Sequence, residues 1–140
     1  MPESSYIMSG SGSLTYLPYV LDAATCAIGS LLIYSGVKGT FVDPLAWAKG
    51  FGLPTATPEN VVLFPSATGR NLGAGFFVWT MIILRERMVL GIFLMCWSWA
   101  GIADTKVLYA HPKGTNQAMH IRNTVTVLIL GPLLIQSSQT

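Results

Sequence analysis

The sequence predicts an all-α integral membrane protein, a four-helix bundle with a short interfacial amphipathic helix between helices 1 and 2. Three observations carry that expectation. Charge is scarce: 10% of the 140 residues are Asp, Glu, Lys or Arg and 51% are apolar, where a soluble domain carries ~25% charged residues. Mean hydropathy is +0.54. The apolar residues are also gathered into stretches of ~17–23 residues, long enough to cross a hydrocarbon core of ~30 Å at a helical rise of ~1.5 Å per residue. Helix is then the spanning form, because lipid leaves no backbone group unpaired and there are too few strand-like segments for a barrel.

The expected transmembrane helices occupy about 17–37, 68–84, 88–110 and 118–135 of a single membrane domain over 1–140. Residues 1–15 read as a flexible polar tail rich in Gly and Ser, without the basic region and apolar core of a signal peptide. Arg85-Glu86-Arg87 reads as a tight charged turn that makes an antiparallel hairpin of the second and third spans. His111 to Asn116 form a short polar loop before the fourth. Between the first and second spans, Asp43 can cap a helix with Pro44 at its first position and Gly50 can stop it. Trp47 and Phe51 share one face of that segment, which predicts an interfacial helix at about 44–51. Gly69-x-x-x-Gly73 and Gly73-x-Gly75 suggest close helix approach.

Other classes are excluded on composition. A net charge of +2 with scattered Lys and Arg gives nucleic acid nothing to bind. Cys26 and Cys96 fall inside apolar stretches and read as buried residues, and no cluster suggests a metal or a cofactor. Lys38, Lys49, Lys106 and Lys113, with Arg70 and Arg122 nearby, collect on the side that holds the long loop, so the positive-inside rule puts that side in the cytoplasm. An endoplasmic reticulum or other intracellular membrane, crossed several times, is the expected location.

Ionisable groups cost ~2.5–3.5 kcal/mol at the centre of an inserted helix, so each needs a reason. Arg70 and Asn71 begin the second span, Asp104 lies near the end of the third, and His120 and Asn123 begin the fourth. Because the helices alternate in direction, all of these fall at the loop side, at similar depth, under the Trp47 segment. One reading is an acid–base site: Asp104 and His120 exchange protons, Arg70 holds charge, and Asn71, Trp97, Asn123 and Trp47 contact substrate. The other is a clamp in which Arg70 and Asp104 pair to hold two helices in register. Asp22, near the opposite end, has no ionisable partner within a turn and reads as a headgroup-level residue.

The order Asp43-Pro44, Gly50-Phe51-Gly52-Leu53-Pro54, Gly69-Arg70-Asn71-Leu72-Gly73, Asp104 and His120 resembles a family of small four-helix membrane proteins catalogued as a domain of unknown function, over roughly residues 28 to 135. That family usually has Arg-Asp where this chain has Arg70-Asn71, which leaves Asp104 as the main acid. Similar fungal families of small membrane proteins are associated with natural-product pathways. The resemblance implies cyclisation, isomerisation or epoxide opening of a lipophilic polyketide or terpenoid intermediate without a cofactor. Three function classes therefore stand: a membrane-embedded enzyme on a lipophilic substrate, a scaffold or accessory subunit of a partner membrane enzyme, and a lipid or small-molecule binding protein. A homo-oligomer is open under each.

Overall fold

The computed structural model describes residues 16–139, so the polar tail expected over 1–15 lies outside the described residues. Five helices make up the fold, with no strand among the described residues. Helix α1 (Leu17–Val37) has Pro18 in its first turn and runs directly into a π-helical turn, Lys38–Val42. Asp43 then leaves the helical region, and its Oδ1 accepts the Ala46 N–H at 2.9 Å to start α2 (Pro44–Phe51). Pro44 takes the first position, where its missing N–H leaves nothing unpaired. Gly50, expected to stop this helix, lies within it. The stop is Gly52, whose φ of 131° is a conformation that glycine alone adopts freely. Its N–H and that of Leu53 close back on the Lys49 and Ala48 carbonyls.

Helix α3 (Phe64–Leu84) begins four residues ahead of the apolar stretch, with Pro65 in its first turn. It ends in a left-handed Arg85 at φ 60°, where the Arg85 and Glu86 N–H groups reach back to Ile82 and Met81. That turn lets α4 (Arg87–Ala110) follow at once. A short connection leads to α5 (Gln117–Ser137).

The chain-adjacent hairpin α3–α4 is not the tight pair. The extensive packing is between α1 and α3 and between α4 and α5. Close approach decides this. A Cβ on Gly36 would stand 2.6 Å from the Leu72 backbone and one on Gly75 2.8 Å from the Ile33 backbone, which brings α1 and α3 together. In the other pair, a Cβ on Gly91 would stand 2.5 Å from the Gly131 carbonyl oxygen and one on Gly131 2.9 Å from that of Gly91. Of the small residues expected at a helix interface, only Gly75 is there. Gly73 faces open space, and Gly69 has nothing nearer than Thr40 Oγ1 at 3.9 Å. The two pairs are joined by a core of Leu21, Val78, Leu90, Leu94, Leu130 and Leu134, and by the Phe77 and Phe93 rings at 4.5 Å.

Among the described residues, three helices are long and apolar enough to cross a membrane: α1 with its π-turn (Leu17–Val42), α4 and α5. Large apolar side chains stand outside the bundle, with Leu31 66%, Trp99 71% and Ile129 58% exposed. Water does not tolerate apolar surface on this scale, and lipid does. These three helices indicate a membrane protein. Helix α3 equals α5 in length, but Arg70, Asn71 and a first half rich in Gly, Ser and Thr keep it out of that set.

Candidate functional site

One end of the bundle, the loop end, carries α2, the 52–63 segment and the α4–α5 connection. The last three carbonyls of α2 and its stop have no helical partner and need one. Each is taken by the opposite pair: Gly50 O by Asn116 Nδ2 at 2.8 Å, Phe51 O by His120 Nε2 at 3.1 Å, and Gly52 O by the Thr115 N–H at 3.0 Å. Asn116 is free to reach out because its φ of 64° turns the chain just ahead of α5. The Phe51 ring meets the His120 ring edge-on at 4.4 Å and the Phe64 ring at 5.5 Å. His120 is therefore buried beneath Phe51. Since a carbonyl only accepts, Nε2 carries the hydrogen and Nδ1 is the nitrogen that remains for proton exchange.

Asp104 extends from the same face of α4 as Gly101, which packs on Thr124, and Leu108, which is fully buried against Gly52. Its Oδ1 lies 3.9 Å from Arg70 Nη2, with the Arg70 side chain 52% exposed and that of Asp104 28%. This is a loose contact rather than a fork. Arg70 Nε turns to its own helix, donating to Ala67 O at 3.4 Å. Both Arg70 and His120 stand within electrostatic reach of the Asp104 carboxyl.

The remaining candidates point elsewhere. Asn71 Nδ2 donates to Ser35 Oγ at 3.1 Å, across the α1–α3 interface. Asn123 is exposed on α5. Trp97 stacks on Phe93 at 5.7 Å within α4. Trp47 meets Tyr34 edge-on at 5.5 Å, so it covers α1, and Phe51 is the ring over His120. Spacing of four placed Trp47 and Phe51 on one face, but Trp47 packs on Tyr34 of α1, whereas Phe51 lies between Phe64 of α3 and His120 of α5. Phe51 is the residue that sequence reasoning missed. Its signal was Gly52, which turns the chain and aims the α2 carbonyls at α5.

A second polar contact was also missed. Arg87 forks onto Asp22, Nε to Oδ1 at 3.2 Å and Nη2 to Oδ2 at 2.6 Å. Asp22 has no ionisable partner within a turn of its own helix, and the partner it does have comes from 65 residues further along the chain. Among the described residues, no group of three His, Cys, Asp or Glu could hold a metal. Two surface grooves, of about 430 and 290 Å³, are lined by neither Arg70, Asp104 nor His120.

A helical chain with membrane-length apolar helices and a polar cluster under a short capped helix defines a class: small helical membrane proteins. Within it, the chain belongs to the family described as a domain of unknown function, DUF4267, whose model matches residues 29–134. No curated protein and no solved structure matches it.

Proposed function

We propose that the chain is a small membrane-embedded enzyme that works by acid–base chemistry, without a cofactor, on a lipophilic polyketide- or terpenoid-like intermediate. In this reading α3 is a fourth span. Its length equals that of α5, it packs along α1, and Arg70 is near enough to its start to reach the headgroups. Helix α2 lies at the interface over the polar cluster. Asp104 gives or takes the proton, His120 exchanges it through Nδ1, and Arg70 offsets charge that develops on substrate oxygen. The chemistry would be ring closure, isomerisation or epoxide opening, in an intracellular membrane.

The observation that carries the reading is the loose, half-open Arg70–Asp104 contact. A carboxylate at 3.9 Å from one guanidinium nitrogen keeps lone pairs for another partner, whereas a clamp would close into a fork. The test is turnover of a panel of lipophilic epoxides and polyenes by the protein in lipid. Asp104→Asn should lose activity ~10²–10⁴-fold while the protein stays folded. Retained turnover in that variant would rule out Asp104 as the acid–base group.

One observation favours a second reading, an accessory subunit of a partner membrane enzyme. Gly69 and Gly73 leave α3 open on its outer side, where another helix could approach. Under that reading the protein turns over nothing alone, and Gly73→Leu abolishes co-purification with a partner.

A further inference from the structure

The groove of about 430 Å³ between α4 and α5 is lined by Ile102, Thr105, Lys106, Tyr109, Ile121, Thr124 and Val125. It is a shallow groove open to the outside of the bundle, the shape of a resting place for an extended chain rather than of an enclosed pocket. Two of its polar residues are turned away from any ligand. Thr105 Oγ1 donates to Gly101 O at 2.8 Å and Thr124 Oγ1 to His120 O at 2.8 Å. Both hydroxyls are satisfied by their own helices, so what they contribute to a ligand is their methyl groups. That leaves a wholly apolar trough, in which Lys106 and Tyr109 take part through their carbon atoms, with the Lys106 ammonium beyond the rim.

The position of that cation matters. Lys106 stands one turn before the end of α4, and Ile121 and Thr124 lie in the first turns of α5. The Lys106 rim is therefore at the headgroup end of the groove and the Ile102–Val125 part is deeper. No acidic residue lines it. Asp104, two residues before Lys106, falls on the opposite side of α4, facing Arg70. Arg122 flanks the groove as an exposed neighbour of Ile121. Lys38, Lys49, Arg70, Lys106, Lys113 and Arg122 all cluster at this end, against Asp43, Glu59 and Asp104.

We infer that this groove binds an anionic glycerophospholipid of the surrounding bilayer, with an acyl chain along the trough and the phosphate at Lys106 and Tyr109. Basic pockets between membrane helices recognise lipid headgroups in this way. The inference uses only α4 and α5 as membrane helices, and it stands or falls apart from the acid–base reading because its readout involves no turnover.

The experiment is native mass spectrometry of the protein released from nanodiscs holding equal amounts of phosphatidylglycerol and phosphatidylcholine. The expected result is one retained phosphatidylglycerol in preference to phosphatidylcholine, by about fivefold, the effect of one basic residue at an anionic surface. Lys106→Gln should erase that preference, and Lys113→Gln, which removes the same charge off the groove, should leave it. Ile121→Trp should fill the trough and lower retention in a protein that still melts cooperatively. Equal retention of the two lipids would overturn the inference, as would Lys113→Gln matching Lys106→Gln. Competition by the chainless headgroup glycerophosphoglycerol at the lipid's own concentration would overturn it too, by showing a phosphate site alone. A dimer that Ile121→Trp dissociates would show that a second copy covers the groove, and would likewise refute it.

Discussion

The two ends of the bundle each carry an Arg–Asp contact, and the two contacts differ. At the end away from the loops, Arg87 and Asp22 form a two-bond fork at 2.6 and 3.2 Å between α4 and α1. At the loop end, Arg70 and Asp104 approach no closer than 3.9 Å, and Arg70 is half exposed. The first has the geometry of a clamp, since both carboxylate oxygens are engaged and the guanidinium plane is matched. The second is a single long contact, with the buried His120 within electrostatic reach of the carboxyl. Equal residue types at the two ends thus differ in bond geometry, which composition cannot show.

The largest effect that could break this comparison is on turnover. Asp104→Asn should reduce it ~10²–10⁴-fold with little change in melting temperature, whereas Asp22→Asn should leave kcat alone and lower the melting temperature. If both variants lost only stability, the loop-end pair would be a clamp as well.

His120 sharpens the comparison next. It holds α2 by its bond to Phe51 O and is also the proposed proton carrier. His120→Ala should cost about 1–3 kcal/mol, the penalty for a buried carbonyl left unpaired, and should speed hydrogen exchange in α2. His120→Gln can still donate to Phe51 O, so it should recover stability without recovering turnover. Recovery of both would reduce His120 to a positioning residue.

Double-mutant cycles read the two pairs directly. The Asp22–Arg87 coupling should be about 1 kcal/mol, as for a forked, partly exposed pair, and the Arg70–Asp104 coupling near zero. Similar couplings would erase the distinction.

The smallest effect lies in the loop above the open pair. The Thr57 hydroxyl, bonded to the exposed Glu59 carboxylate, holds that carboxyl below its ordinary range, and a backbone bond helps. A depressed carboxyl stabilises the fold at neutral pH, and that contribution fades as pH falls through its folded pKa. Thr57→Val should raise Glu59 toward the ordinary glutamate range in an NMR titration, with the backbone bond still holding it somewhat low and turnover unchanged at neutral pH.

Much of the candidate site could be read as depth. Counting from helix ends put Arg70, Asp104 and His120 at one level, and the structure sets Arg70 beside Asp104 with His120 within electrostatic reach. Rotation about each helix axis could not be read the same way. Asn71 and Asn123 sit at the right depth but turn to Ser35 and to the outside. A residue next to Arg70 or Asp104 in sequence is displaced ~100° around the helix, since there are 3.6 residues per turn. Arg87 was likewise placed at the correct end as a turn residue, and only the approach of α4 to α1 gives it Asp22.

By itself the sequence determined the helical class, the membrane-length apolar helices and the start of α2 at Asp43 and Pro44. Those outcomes rest on local physics: lipid demands internally paired backbone, and a cap is closed by residues three apart. Tertiary structure decided which helices pair, that α3 leans on α1 rather than on its chain neighbour α4, and that Phe51 rather than Trp47 covers His120. Those outcomes depend on backbones meeting at Gly36, Gly75, Gly91 and Gly131, contacts between residues far apart in the chain. Apolar faces on every side of each helix leave such contacts unspecified until the bundle packs.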